Sequence, residues 1–280
     1  MNPDQEKKFP KPVEAFIVII LSFIFVIGIT QLLMILFLPD ADDASKNAIG
    51  QKIFSTIGEL GLLIIPLVYI RSRDLKSRSV FRLNPIPFPI ILWSFIAGLG
   101  ISIMADELDR LITLLFPAPE FIVEIAEALR IQSVTDFLFL FTGMVIIAPI
   151  TEEFLIRGFL QKSLEEHQDV TRAVIYASLA WAIIHFVPIW AIQIFIMGIV
   201  LGLLTWKSES ILPAIIGHAT NNALALLFNN IDVENILRFY LWGSHVSPLV
   251  LLLSLAGVVL SVRKFYDYYP NVTRGKPPTS

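Results

Sequence analysis

Residues 151 to 160 read Thr-Glu-Glu-Phe-Leu-Ile-Arg-Gly-Phe-Leu, placing Glu152, Glu153 and Arg157 inside a run that is otherwise strongly apolar. On a helix, residues four apart share a face, whereas immediate neighbours point about 100° apart. Glu153 and Arg157 are therefore expected to neutralise each other as supporting residues, leaving Glu152 free to work. Two more polar sites follow in apolar surroundings: His185 within Trp-Ala-Ile-Ile-His-Phe, and His218 with Asn222 within Gly-His-Ala-Thr-Asn-Asn. An ionisable side chain at bilayer depth costs several kcal/mol unless paired or hydrated, which makes each of these residues a functional candidate. Glu152 is a base that can take a proton from water, and His185 a partner that can orient that water. His218 and Asn222, four apart, are two donors side by side, the makings of an oxyanion clamp. Such a set fits hydrolysis of a peptide bond.

The chemistry only works if helices bring these residues together within a membrane. The chain has 280 residues, of which 55% are hydrophobic and 16% charged, with a mean hydropathy of +0.73. Those values are wrong for a water-soluble surface and right for an integral membrane protein that contacts lipid. A net charge of −3 gives no broad basic field, which argues against nucleic acid as a partner. The absence of cysteine removes disulfides and thiolate metal sites. Lys7, Lys8 and Lys11 precede an uncharged stretch from Ala15 to Pro39, and no small-residue cleavage site follows, so this stretch reads as a retained membrane helix.

Cutting the apolar runs at their charges gives an all-α, polytopic bundle of about eight transmembrane helices. The expected spans are 15–38, 53–70, 88–105, 137–164, two short helices within 173–206 folded back near Pro188, 210–229 and 246–262. The segment 119–131 places Phe121, Ile125 and Leu129 four apart with Glu120, Glu124 and Glu127 elsewhere, the pattern of a helix lying along the interface before the fourth span. Residues 1–12 are expected to form a cytoplasmic amino-terminal segment, 13–264 one transmembrane domain, and 265–280 a cytoplasmic tail. Lys and Arg number 16 in the segments that would be cytoplasmic if the first crossing runs from inside to outside, against 5 in the others, so both termini are expected inside. At 1.5 Å per residue, Glu152, His185 and His218 then share a level about 12 to 18 Å from the inner surface. Asn271-Val-Thr has the form of a glycosylation acceptor but falls on the inner side of this topology.

The three motifs resemble those of the CPBP family of intramembrane proteases, which includes the type II CAAX prenyl endopeptidases and bacteriocin-immunity relatives. Glu152-Glu153 through Arg157 corresponds to its Glu-Glu-x-x-x-Arg motif, Trp181 through His185 to its aromatic-x-x-x-His motif, where Phe is more usual, and His218 through Asn222 to its His-x-x-x-Asn motif. Residues 152 to 185 and 185 to 218 are separated by equal 33-residue steps. The likeness covers about residues 135 to 230, the expected catalytic core. It implies a water-filled cavity open to the cytoplasmic side, with Glu152 activating water, His185 as its partner, and His218 with Asn222 stabilising the oxyanion. The implied substrate is a membrane-inserted or lipidated peptide, of which a prenylated CAAX tail is one kind.

Other readings stand beside this one. The same residues fit a non-catalytic immunity or scaffold protein, or a proton-coupled transporter, although no internal repeat is present. Zinc is a possible cofactor, with His185, His218 and Glu152 as its ligands, but no His-Glu-x-x-His motif occurs and Asn222 is a poor ligand. Metal-independent chemistry is the favoured expectation. Glu59 either hydrates the cavity or contacts substrate, or else packs in a hydrogen bond; His167 and His245 read as solvated, and Gly198 with Gly202 as a close helix contact.

Overall fold

The computed structural model describes residues 9–37 and 44–270. Lys7, Lys8, the Asn271 acceptor and the Arg-Gly-Lys-Pro-Pro-Thr-Ser tail lie outside the described residues. The described chain is an all-helical membrane bundle with one small hairpin.

Its helices are α1 (Pro12–Phe37), α2 (Ala44–Gly61), α3 (Ile64–Ser72), α4 (Ser77–Val80), α5 (Phe88–Leu115), α6 (Glu120–Ala128), α7 (Val134–His167), α8 (Val170–Ile184), α9 (Pro188–Ser208), α10 (Leu212–Asn230), α11 (Val233–Ile236) and α12 (Pro248–Tyr268). The hairpin β1 (Leu241–Trp242) and β2 (His245–Val246) precedes α12, with Gly243 at φ +63° in its turn, a conformation that favours glycine. Five helices are long and apolar enough to cross a membrane: α1, α5, α7, α9 and α12. The remaining expected crossings are helical too, but α8 is short, α10 is diluted by its polar residues, and the second is broken between α2 and α3. The fold-back near Pro188 is a short 3-10 turn, Pro188–Trp190, that opens α9.

Local chemistry starts these helices. Prolines occupy the first turn of α5, α10 and α12, where a missing N–H costs nothing. Ser133 caps α7 by accepting from Asp136 N, and Asp169 caps α8 by accepting from Arg172 N. α12 continues to Tyr268, inside the segment 265–280 expected as a tail, and Phe265 is fully buried against Ile90 and Leu204. Two charges, Arg263 and Lys264, end an apolar run in sequence without ending the helix.

Close packing in the middle of the bundle depends on small residues. A Cβ on Gly98 of α5 would lie 2.6 Å from Gly217 O of α10, and one on Gly198 of α9 would lie 2.8 Å from Ser178 Cβ of α8. Only glycine permits these approaches. They set α10 and α8, the helices that carry His218 and His185, against the rest of the bundle.

Each end of the bundle is tied by its own polar network. At one end Ser163 Oγ donates to Pro10 O, Ser210 Oγ to Asn84 O and Asn84 Nδ2 to Glu209 O, while buried Arg82 pairs with Glu165. At the other, Asn230 Nδ2 donates to Leu129 O, Asn229 Nδ2 to Ala126 O, Trp190 Nε1 to Asp109 Oδ1 and Tyr240 OH to Asp106 Oδ2. α6 lies at this second end and buries none of its residues, as expected of an interfacial helix.

Candidate active site

α7 carries the Glu-Glu-Arg motif on an unusual backbone. Ala148–Glu153 is ordinary α-helix, but it lies between two π-helical stretches, Phe141–Ile147 and Phe154–Gln161. Widened turns of this kind re-aim side chains and recur at functional sites. Here they flank the two glutamates, which face different surroundings.

Glu153 points into the packed interior. Its side chain has no exposure, and its Oε2 lies 3.3 Å from Arg157 Nε, also with none. The Arg157 guanidinium carbon sits 4.7 Å from the Trp181 ring centroid, so the aromatic face takes up part of the buried positive charge. The other Glu153 oxygen, Oε1, lies 3.0 Å from His218 Nδ1. A carboxylate only accepts, so Nδ1 carries the proton and Nε2 is the ring nitrogen left for other work. Glu153 thus ties α7 to α10 as well as to its own helix.

Glu152 faces the other way. Its side chain is 15% exposed and accepts from Trp181 Nε1 at 2.7 Å. His185, the residue that ends α8, places Nε2 3.8 Å from the same Oε2. That is too long for a direct hydrogen bond and leaves room for one water touching both. His185 Nδ1 is 2.7 Å from Trp181 O, a carbonyl that can only accept, which fixes the proton on Nδ1 and turns Nε2 toward Glu152. Trp181 therefore orders the whole group: its indole N–H holds Glu152, its carbonyl holds His185, and its ring stands edge-on to both His185 and His218.

The expected donor pair is only partly formed. Asn222 lies one turn beyond His218, but its Nδ2 donates to Met144 O at 2.8 Å and its Oδ1 accepts from Asn221 Nδ2 at 3.2 Å. One amide proton of Asn222 remains. Sequence spacing gave the shared face but not the partner, because Met144 O is turned toward α10 by the π-helical backbone around it.

Glu152, Trp181, His185, His218, Asn221 and Asn222 all line one cavity of about 1150 Å³. That is roomy for a small molecule, since such pockets usually run to about 300–1000 Å³, and it suits an extended peptide. Glu59 of α2 lines it too, and accepts from Thr151 Oγ1 at 3.4 Å, so it takes the cavity role rather than a packing role alone. His245 bonds Glu107 Oε1 at 2.8 Å instead of standing free in solvent, and His167 Nδ1 contacts Ser163 O. No trio of His, Asp or Glu among the described residues is grouped closely enough to hold a metal ion.

Residues 134–224 match the family described as type II CAAX prenyl endopeptidase Rce1-like. The match supports a CPBP-type protease core in that segment, and the apolar helices make the chain a multi-pass membrane protein. The Rce1-like segment contains all the residues of the three motifs, while Glu59, Asp106 and Asp109, which share the cavity, come from helices outside it. No curated protein and no solved structure matches the chain.

The cavity reaches the end of the bundle formed by α6 and the start of α7, through Ile125, Leu129, Gln132 and Asp136. The termini described here, Phe9 to Lys11 and the end of α12, lie at the opposite end, beside α7's last turn and α9's last turn. Both termini and the cavity mouth therefore cannot face the cytoplasm together. The resemblance supplied one half of that pair of expectations and the charge count the other, and neither carried the geometry that links them.

Proposed function

We propose that the chain is a metal-independent intramembrane endopeptidase that uses Glu152 as general base. The observation that carries this reading is the 3.8 Å gap between Glu152 Oε2 and His185 Nε2, both facing the cavity. A water in that gap gives one proton to Glu152 as its oxygen attacks the scissile carbonyl carbon. The carbonyl oxygen becomes the oxyanion of a tetrahedral intermediate. His218, its Nδ1 held by Glu153, turns Nε2 toward that oxygen and in its doubly protonated form donates to it, and the free amide proton of Asn222 is the second donor. Collapse of the intermediate breaks the C–N bond, and Glu152 passes its proton to the departing amine. Arg157 pairs with Glu153 and does not touch substrate. Membrane-inserted or lipid-anchored polypeptides are the natural substrates of a cavity inside the bilayer.

The test is reconstitution of the purified chain in lipid vesicles with a mixture of membrane-anchored peptides, followed by detection of new peptide ends. New ends should form with the native chain and not with Glu152→Gln. Equal cleavage by both would reject Glu152 as the base.

A further inference from the structure

We infer that the site, if it is the protease site proposed above, receives its substrate from the extracytoplasmic side of the membrane. Two independent features of the molecule lead there. The first is where the cavity opens. It runs from Glu152 and His185 to the end capped by α6, and none of its lining residues comes from α4, from the last two turns of α7 or from α12. Toward the opposite end the site is sealed by a packed layer in which Ile156, Arg157, Phe159, Leu160, Ala177 and Ala214 have no exposed surface. Such a layer of close-packed side chains leaves no passage for a peptide.

The second feature is the distribution of positive charge. Among the described residues with described side chains, the sealed end carries eleven Lys and Arg: Lys11, five between Arg71 and Arg82, Lys162, Arg172, Lys207, Arg263 and Lys264. The cavity end carries three, Arg110, Arg130 and Arg238. Short segments rich in Lys and Arg stay in the cytoplasm during insertion, and this bias sets the orientation of the whole bundle. The sealed end is then cytoplasmic and the cavity mouth extracytoplasmic. α6, lying across that mouth, is placed where a membrane-anchored chain on the outer face would pass.

This defines a substrate class by location. The scissile bond belongs to a lipid-anchored or membrane-inserted polypeptide on the outer side of the bilayer, not to a tail that is lipidated and exposed in the cytoplasm. A cytoplasmic tail would have to cross the layer around Arg157 to reach Glu152.

The native chain has no cysteine, so single cysteines report sidedness without background. Gln132→Cys and Ser244→Cys mark the cavity end, and Ser79→Cys and Asp267→Cys the sealed end; all four positions are exposed, so the substitutions are compatible with folding. A membrane-impermeant maleimide is applied to intact cells carrying each variant in the plasma membrane, and again after permeabilisation. Labelling of the first pair in intact cells, with the second pair labelled only after permeabilisation, is the expected result. The reverse pattern overturns the inference. In parallel, vesicles of known orientation present an anchored peptide on one face only, to the native chain and to Glu152→Gln. Glu152-dependent cleavage confined to the outer-face peptide is expected, and cleavage confined to the inner-face peptide overturns the sidedness while leaving the protease reading intact. Labelling as expected with no Glu152-dependent cleavage on either face rejects the protease reading and leaves the orientation standing.

Discussion

Trp181 Nε1 donates a 2.7 Å hydrogen bond to Glu152 Oε2, so the carboxylate proposed to activate water is held by an indole from the neighbouring helix. The same residue's carbonyl holds His185. One side chain and its own backbone thereby set both halves of the water-binding gap.

Replacing Trp181 with Phe removes the N–H and keeps most of the ring that packs against Arg157, His185 and His218. A hydrogen bond to a charged group is worth about 1.5–3 kcal/mol. Trp181→Phe should therefore lower the cleavage rate by roughly 10- to 100-fold with little loss of folded yield. A rate comparison on detergent-purified protein, with size-exclusion profiles as the control for folding, checks this; a variant as fast as native would show that the indole N–H does not position Glu152.

Arg157 and Glu153 form a pair without exposed surface. Removing one partner of such a pair strands a buried charge at a cost of about 3–5 kcal/mol, whereas replacing both with apolar or neutral groups costs far less. Arg157→Met alone should collapse the yield of folded protein. The double change Glu153→Gln with Arg157→Met should recover much of that yield without recovering cleavage, because His218 loses its carboxylate. Thermal melts of the three proteins in the same detergent measure the coupling.

Gly98→Ala would press a methyl group onto the Gly217 backbone, one residue from His218. Overpacking of this kind costs about 1–3 kcal/mol. The helices should part by a few tenths of an ångström, and cleavage should fall further than the melting temperature does, since His218 moves with α10. Gly28→Ala, where a Cβ meets nothing within 4 Å, should leave both unchanged.

Chelation separates the two chemistries that the sequence leaves open. With no three His, Asp or Glu side chains placed together for a metal among the described residues, cleavage should survive prolonged dialysis against a strong chelator. Loss of activity under chelation, restored by added zinc, would require His185 and His218 to regroup around the metal.

The helical class, the apolar helices long enough to cross a membrane and the pairing of Glu153 with Arg157 were legible because each rests on local signals: apolar runs, charges that interrupt them, and four-residue spacing. What was not legible depends on partners distant in sequence. Trp181 looked like the aromatic opening of a His motif, and nothing in its spacing announced that its indole reaches Glu152 across 29 positions. Asn222 looked like a free donor, and its Met144 carbonyl partner exists only because α7 widens into π-helix. Glu59 lies 93 residues before Glu152, and only the packing of α2 on α7 brings it to the same cavity. The direction of the cavity mouth is likewise a property of how α5, α6, α7 and α10 converge, which no single segment records.

The claim on which the rest depends is that Glu152 drives attack by water in this cavity. Running the reconstituted reaction in water enriched in oxygen-18 tests it directly, with mass spectrometry of the new carboxyl ends. One labelled oxygen should enter each new carboxyl end with the native chain, and Glu152→Gln should slow its appearance by about 100- to 10,000-fold, the range for loss of a general base. Label entering at the same rate in both proteins, or peptide ends formed without label, would contradict it.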